Sequence, residues 1–176
     1  TELTDARREA CAPFAQAIER ELQGLGMDEA RVDVRLVDRD QLAATGAEGA
    51  ELYVETNQGE GSHALRHVAS GGELSRLMLA IDSALRGAVR PHTAIYDEVD
   101  AGVSGAIADA IGRKLRSASE GGQAIVITHM PQIAAQGDHH LTVTKRRSDD
   151  RTETGVRPLN GRERAREIAR MLGGDR

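Results

Sequence analysis

One alternation in the middle of the chain constrains the fold more than any other feature. Thr93-Ala94-Ile95-Tyr96 is a short apolar run. Gly102-Val103-Ser104-Gly105 leads into a helical pattern with Ile107, Ile111 and Leu115 on one face, and Gln123-Ala124-Ile125-Val126-Ile127-Thr128 is a second, β-branched run. Gly121 and Gly122 break the helix between the two. Two apolar strands joined by an amphipathic helix form a parallel pair, because a parallel return needs a long crossover and the helix supplies it. A parallel sheet is expected to have both faces covered and to bind ligands beyond the carboxyl ends of its strands. Those ends carry Asp97-Glu98 after the first strand and His129 after the second.

Just upstream, Ser70-Gly71-Gly72-Glu73 runs directly into Leu74, Leu77, Met78, Ile81 and Leu85. The three- and four-residue steps predict a helix of about three turns, stopped by Gly87 and Pro91. A hydroxyl, two residues without a Cβ and the unpaired N–H groups of a helix start suit a phosphate. The same Ser-x-x-Glu spacing also describes a capping box, in which Glu73 closes the turn back onto Ser70. The paired acids divide labour in a matching way, Asp97 holding Mg²⁺ through water and Glu98 polarising a water as general base. Two solvated acids at a strand end are the plainer alternative. His129 can hydrogen-bond a terminal phosphate, although a lone histidine is more often structural.

The flanking regions read as packing elements. Ala10, Phe14, Ile18 and Leu22 recur every four residues over positions 4 to 23, with Pro13 at a kink or first turn and Gly24 and Gly26 at the end. Arg31 to Val37 and Glu51 to Glu55 alternate polar and apolar, as the strands of a hairpin or meander do, with Gln41 to Gly49 as a loop and Asn57 to Ser62 as a closing turn. Pro131 to Gln136 is a short helix, His140 to Lys145 and Thr154 to Leu159 form a hairpin, and Arg162 to Leu172 is a last helix ended by Gly173-Gly174.

Composition removes several function classes. The 176 residues suit one domain, and no apolar run approaches the ~18 residues of a membrane span, so no membrane contact is expected. The N-terminus has neither a basic nor an apolar leader region, and the missing initiator Met suggests an excised piece. The single Cys11 excludes an internal disulfide and fits a reducing cytoplasm. A net charge of -5 opposes nucleic acid outside a local basic patch, and 2% aromatic residues leave little for stacking bases. His63 and His67, and the adjacent His139-His140, lack the Cys or carboxylate set that would complete a zinc site. Lys145-Arg146-Arg147 is neutralised by Asp149 and Asp150 in the same turn.

Taken together, Ala69 to Glu73, Ile95 to Glu98, Ala101 to Gly105 and Thr128-His129 resemble the signature motif, Walker B strand, D-loop and H-loop of an ABC-type ATPase head of the SMC-like class. The longer strings Ala69 to Arg76, Asp97 to Gly105 and Thr128 to Gln132 resemble the bacterial DNA-repair branch of that class rather than a transporter. The likeness is strongest from Val68 to Gln136. It implies an α/β fold, the C-terminal lobe of a P-loop NTPase-like head with a mostly parallel sheet flanked by helices. Residues 1–23 are then a stub of the helix returning from a coiled coil, and residues 24–176 the C-terminal half of the head.

The resemblance implies ATP and Mg²⁺ as cofactors, with Glu98 and His129 catalytic, Asp97 as the metal ligand, and Ser70, Gly71, Gly72, Glu73 and Ser104 in contact with nucleotide. Glu73 and Ala69 stand where transporters commonly carry Gln and Leu, and Ser104 where many SMC-type D-loops carry Asp. Neither Lys114 nor Lys145 precedes Ser or Thr, so no Gly-x-x-x-x-Gly-Lys-Ser/Thr loop fits this chain. The resemblance places that loop in an N-terminal half of the same head. Its further partners are a second head in an ATP-dependent homodimer and DNA bound by the full-length protein, which is cytoplasmic and nucleoid-associated. In that dimer Asp97, Glu98 and His129 serve the nucleotide of their own head, whereas Ser70 to Gly72 reach the γ-phosphate held by the other. The expected function is ATP hydrolysis in double-strand-break repair and recombination. The alternatives are a non-catalytic DNA-tethering or head-dimerisation module, or another ABC-type ATPase such as an excision-repair protein.

Overall fold

Helix α1 spans Glu2–Leu22 and buries Ala15, Ile18 and Leu22 on one side, with Pro13 inside it. Two left-handed glycines, Gly24 at φ 79° and Gly26 at φ 74°, turn the chain after it so that Leu25 and Met27 stay in the core. The computed structural model describes residues 2–85, 93–148 and 151–173. The expected helix stops Gly87 and Pro91, and also Asp149, Asp150 and Gly174, lie outside the described residues.

Strands β1 (Arg31–Ala43) and β2 (Gly46–Glu55) pair antiparallel from Arg31↔Glu55 to Asp38↔Glu48, become irregular, and close at Ala43↔Gly46. Most of the stretch expected as a loop, Gln41 to Gly49, is therefore strand. Small residues there mark little turn chemistry, and α1 fixes the hairpin end from outside. Thr4 Oγ1 donates to Glu48 Oε1 at 2.6 Å, and the Arg7 guanidinium donates to the Thr45 carbonyl at 2.7 Å. A two-residue strand β3 (His63–Ala64) adds to β2 and delivers the chain to the next helix.

Helix α2 spans Gly71–Ala84, β4 Thr93–Tyr96, α3 Gly105–Ala118 and β5 Gln123–Val126. β4 and β5 are parallel, in register from Thr93↔Gln123 to Tyr96↔Val126, and Ile127 N–H extends the ladder to the Tyr96 carbonyl at 2.9 Å. The strand, helix, strand alternation thus folds as expected. Leu77 and Leu79 of α2, Ile111 of α3, Val99 beyond β4, and Ile18 and Leu22 of α1 are fully buried and join these elements in one core. Each such side chain contributes about 1.5–3 kcal/mol by its removal from water. Tyr96 sits at the sheet end of this core, 3% exposed, and donates to Asp82 at 2.6 Å. Burial, then the Asp82 contact, pushes its phenol well above the usual range.

Two expectations need correction. The sheet is not mostly parallel: among the described residues β4 and β5 are the sole parallel pair, and the other strands form separate antiparallel sheets. β4 and β5 are linked through α3 by the long crossover that parallel pairing needs, whereas β1 and β2 follow one another through a short turn. Nor are both faces of the parallel pair covered, because Ile95, Ile125 and Ile127 are 68%, 43% and 55% exposed. The α/β class itself stands.

The remainder follows the expected order. A short helix α4 (Pro131–Ala134) precedes the hairpin β6 (Leu141–Ser148) and β7 (Arg151–Pro158), and α5 (Gly161–Met171) ends the described chain. The Arg164 guanidinium holds α5 to the end of α4 by donating to the carbonyls of Ala135, at 2.9 Å, and Gly137.

Candidate functional site

Helix α2 starts where it does because Ser70 is extended, at φ -87° and ψ 119°, and its hydroxyl oxygen accepts from Glu73 N–H at 3.4 Å. Only this half of the expected capping box forms. Both halves occur at Asn160 and Glu163, where α5 begins. Ser70 and Gly71 are exposed and Gly72 is buried. A cleft of about 340 Å³ opens beside them, lined by Thr56, Glu60, His63, His67, Ser70 and Glu73.

The two glycines answer to different neighbours. A Cβ at Gly71 would lie 2.4 Å from Glu98 Oε2, so the Glu98 carboxylate occupies the space directly over the helix start. A Cβ at Gly72 would lie 2.8 Å from Ala101 Cβ and 3.0 Å from the Glu98 carbonyl, so Gly72 lets α2 pack on the loop after β4. Glu98 has φ 56°, the one positive value among the described non-glycine residues. A left-handed glutamate is strained, and such strain persists only where surrounding contacts fix the backbone.

Those contacts come from α2. Ser75 Oγ donates to the Asp97 carbonyl. Arg76, 7% exposed, donates to the carbonyls of Ala101 at 3.0 Å and Val99 at 3.4 Å, while its Nε has no partner. Burial pushes the guanidinium below its usual pKa, against the opposing charge of Glu73. The side chains of Asp97 and Glu98 remain exposed.

Asp100 turns the other way. It is 3% exposed, and its Oδ2 accepts from Thr128 Oγ1, from His129 N–H at 3.0 Å and from Met130 N–H at 3.3 Å. The same oxygen lies 3.2 Å from His129 Nδ1, and the His129 side chain is 76% exposed. The loops after β4 and β5 are therefore locked together through one buried carboxylate. Ser104 is exposed at the N-cap of α3, where its hydroxyl makes no capping bond.

The structure thus joins Gly71 and Gly72 to Glu98, and His129 to the Asp97–Asp100 segment through Asp100. Among the described residues no hydrogen bond or ion pair links His129 or Ser104 to Asp97, Glu98 or Ser70. Asp100, Arg76 and Ser75 carry no role in the sequence reading. Asp100 lies 28 positions from its partner Thr128, and no local periodicity marks that pairing.

Among the described residues no three His, Cys, Asp or Glu side chains converge as a metal cage. The exposed carboxylate of Asp97 fits a Mg²⁺ otherwise held by water and phosphate oxygens, the usual habit of that ion, and does not fit an enclosed one. Helix α2 supplies donors for an anion at its exposed start, yet one helix end contributes only about 0.3–1 kcal/mol. Among the described residues no helix is long and apolar enough to cross a membrane.

No family model matches the chain. It is 40% identical over 184 residues to the DNA repair protein RecN of Streptomyces coelicolor, covering 98% of this chain and 32% of that protein. It is 40% identical over 187 residues to RecN of Bacillus subtilis, with the same coverages, and 42% identical over 173 residues to RecN of Deinococcus radiodurans, covering 98% of this chain and 30% of the relative. The chain therefore spans about a third of the length of these curated relatives. Among solved structures it is similar to the Smc head domain with a coiled coil and joint from Pyrococcus yayanosii, with TM-score 0.60, 19% identity, and coverage of 90% of this chain and 29% of that one. It is also similar to a chain from work on ATP-driven dimerization and DNA stimulated activation of SMC ATPases, with TM-score 0.54, 18% identity and 98% of both chains covered. At these identities the likeness is one of fold, that of an SMC ATPase head. Matched at 40–42% identity across 98% of its length, this chain is similar throughout to about a third of the DNA repair protein RecN.

Proposed function

We propose that this chain is one half of an ATP-hydrolysing head acting in bacterial DNA double-strand-break repair and recombination. Its partners are the N-terminal half of the same head, which carries the phosphate loop, and a second head opposed to it across ATP. DNA is engaged by the full-length protein, in the cytoplasm. The observation that carries this reading is the exposed Ser70-Gly71 helix start with the Glu98 carboxylate lying over it. Both an anion seat and a candidate base are present, and the chain has no phosphate-gripping lysine of its own.

The uncovered face of β4 and β5 supports the first partner. Ile95, Ile125 and Ile127 would be buried by strands or helices of the other half, recovering the covered faces that a parallel sheet requires. In the assembled head Asp97 holds Mg²⁺, Glu98 takes a proton from the attacking water, and His129 hydrogen-bonds a γ-phosphate oxygen. Bound Mg²⁺-ATP supplies the phosphoryl group whose transfer to water is catalysed. Ser70, Gly71, Gly72, Glu73 and Ser104 face the nucleotide of the opposite head. With the Glu98 carboxylate over Gly71, that seat is closed to a phosphate by charge and by space, so head engagement requires Glu98 to swing away.

Ser70→Arg tests the reading. In the reconstituted head it abolishes ATP-dependent dimerisation while leaving the fold intact. Unaltered dimerisation by that variant would favour a tether whose glycines are structural.

A further inference from the structure

We propose that Asp100 is the positioning residue for His129, holding its ring in the Nδ1–H form with Nε2 as the nitrogen offered to a ligand. The functional consequence rests on the reading of His129 given above, whereas the positioning itself does not.

Burying a carboxylate is costly unless its lone pairs are satisfied. Asp100 Oδ2 takes three donors towards that demand, all from the segment Thr128 to Met130. Its fourth contact is to a side chain that gains little from burial: His129 is 76% exposed, yet its Nδ1 is brought to 3.2 Å from Oδ2. The approach is one of distance and charge rather than an aligned hydrogen bond: a nitrogen lone pair this near a carboxylate oxygen is repelled, so the nitrogen beside Asp100 carries the proton. Among the described residues nothing pairs with Nε2, which is therefore the sole ring nitrogen able to meet a ligand oxygen. A second partner on one ring nitrogen is the usual means of fixing a histidine's tautomer and direction.

The anchor also has a direction of action. Asp100 lies on the loop that carries Asp97 and Glu98, and the other side of that loop is held by Ser75 and Arg76 of α2. Any shift of this loop on engagement at the α2 start is passed through Asp100 to the His129 ring. The side chain of His129 is thus set by the same rigid piece that sets Glu98.

The test is the ring ¹⁵N spectrum of the chain labelled at histidine, recorded in alkaline solution where the rings are neutral. Substitution His129→Gln identifies its resonances. We expect Nδ1 of His129 to carry the proton in the wild-type chain and in Thr128→Val, which removes a neighbouring donor but keeps the carboxylate. In Asp100→Asn the proton moves to Nε2 or becomes shared between the nitrogens. An Nε2–H ring in the wild-type chain, or an unchanged tautomer in folded Asp100→Asn, overturns the proposal. If Asp100→Asn does not fold, the wild-type and Thr128→Val spectra decide by the same criterion. In the reconstituted head, Asp100→Asn should lower kcat by about 10²-fold, the scale of one positioned acid–base group, with no further loss on adding His129→Ala. A lost Nδ1–H with unchanged kcat keeps Asp100 as the anchor and removes His129 from the phosphate.

Discussion

The Glu98 carboxylate lies over the start of α2 so closely that a methyl group at Gly71 would stand 2.4 Å from its Oε2. A candidate base and a candidate phosphate seat thus occupy one place within a single chain. Glu98 is held there by a left-handed backbone, and its side chain is exposed, so the carboxylate can leave without opening the core. This relationship separates Gly71 and Gly72 energetically and, in the proposed head, ties nucleotide entry to a side-chain movement.

Gly71→Ala meets only the end of a flexible side chain, so it should displace Glu98 while altering stability by less than ~1 kcal/mol, helped by alanine's better helix propensity. Gly72→Ala meets Ala101 and the Glu98 carbonyl, which cannot yield as easily, and should destabilise by about 1–3 kcal/mol. Urea unfolding of the two variants distinguishes them, and equal midpoints would show that Gly72 is not packed against the loop.

Arg76 is the second support of that loop. Its replacement by Ala removes the donors to Val99 and Ala101 and leaves space in the core, at a cost of about 2–4 kcal/mol. Hydrogen exchange should quicken for Val99 to Val103 before it does for α1. Uniform loosening would place Arg76 in general packing instead.

The C-terminal helix carries a pH dependence. The Asn160 backbone N–H, and then Arg157, hold the Glu163 carboxyl below its ordinary value near 4.5. A depressed folded pKa contributes stability that is present above that ordinary value and is lost as pH falls through the folded one. Helix α5 should therefore fray in acid, below about pH 4.5, and Glu163→Gln should flatten that part of the profile when helicity is followed by circular dichroism. An identical acid profile in the variant would remove Glu163 from the cap.

Much of this architecture is legible in the residues. The alternation from Thr93 to Thr128 specifies a parallel pair, and Ser70-Gly71-Gly72 specifies a helix start, because both rest on local periodicity and turn chemistry. The hairpin end at Gln41 to Gly49 is not legible, since its strand state depends on Thr4 and Arg7, some forty residues away. Asp97, Glu98 and Asp100 look alike as a run of acids. Only packing distinguishes the two exposed carboxylates from the buried one that faces Thr128 and His129. The bare face of Ile95, Ile125 and Ile127 is likewise invisible in the apolar pattern, which promises cover without saying which chain provides it.

The central claim is that the chain is half of a composite ATPase whose own Glu98 is the base. Glu98→Gln keeps the side-chain shape and removes the charge over Gly71, so in the reconstituted head it should retain ATP binding, accumulate dimers and slow hydrolysis by orders of magnitude.

The most direct measurement mixes this chain with the N-terminal half and titrates Mg²⁺-ATP while following dimer mass and phosphate release. Turnover and dimers that both require the second half, with negligible turnover by this chain alone, are the result expected. Comparable turnover by the pure, isolated chain, or none from the mixture despite ATP-driven dimers, would contradict the account.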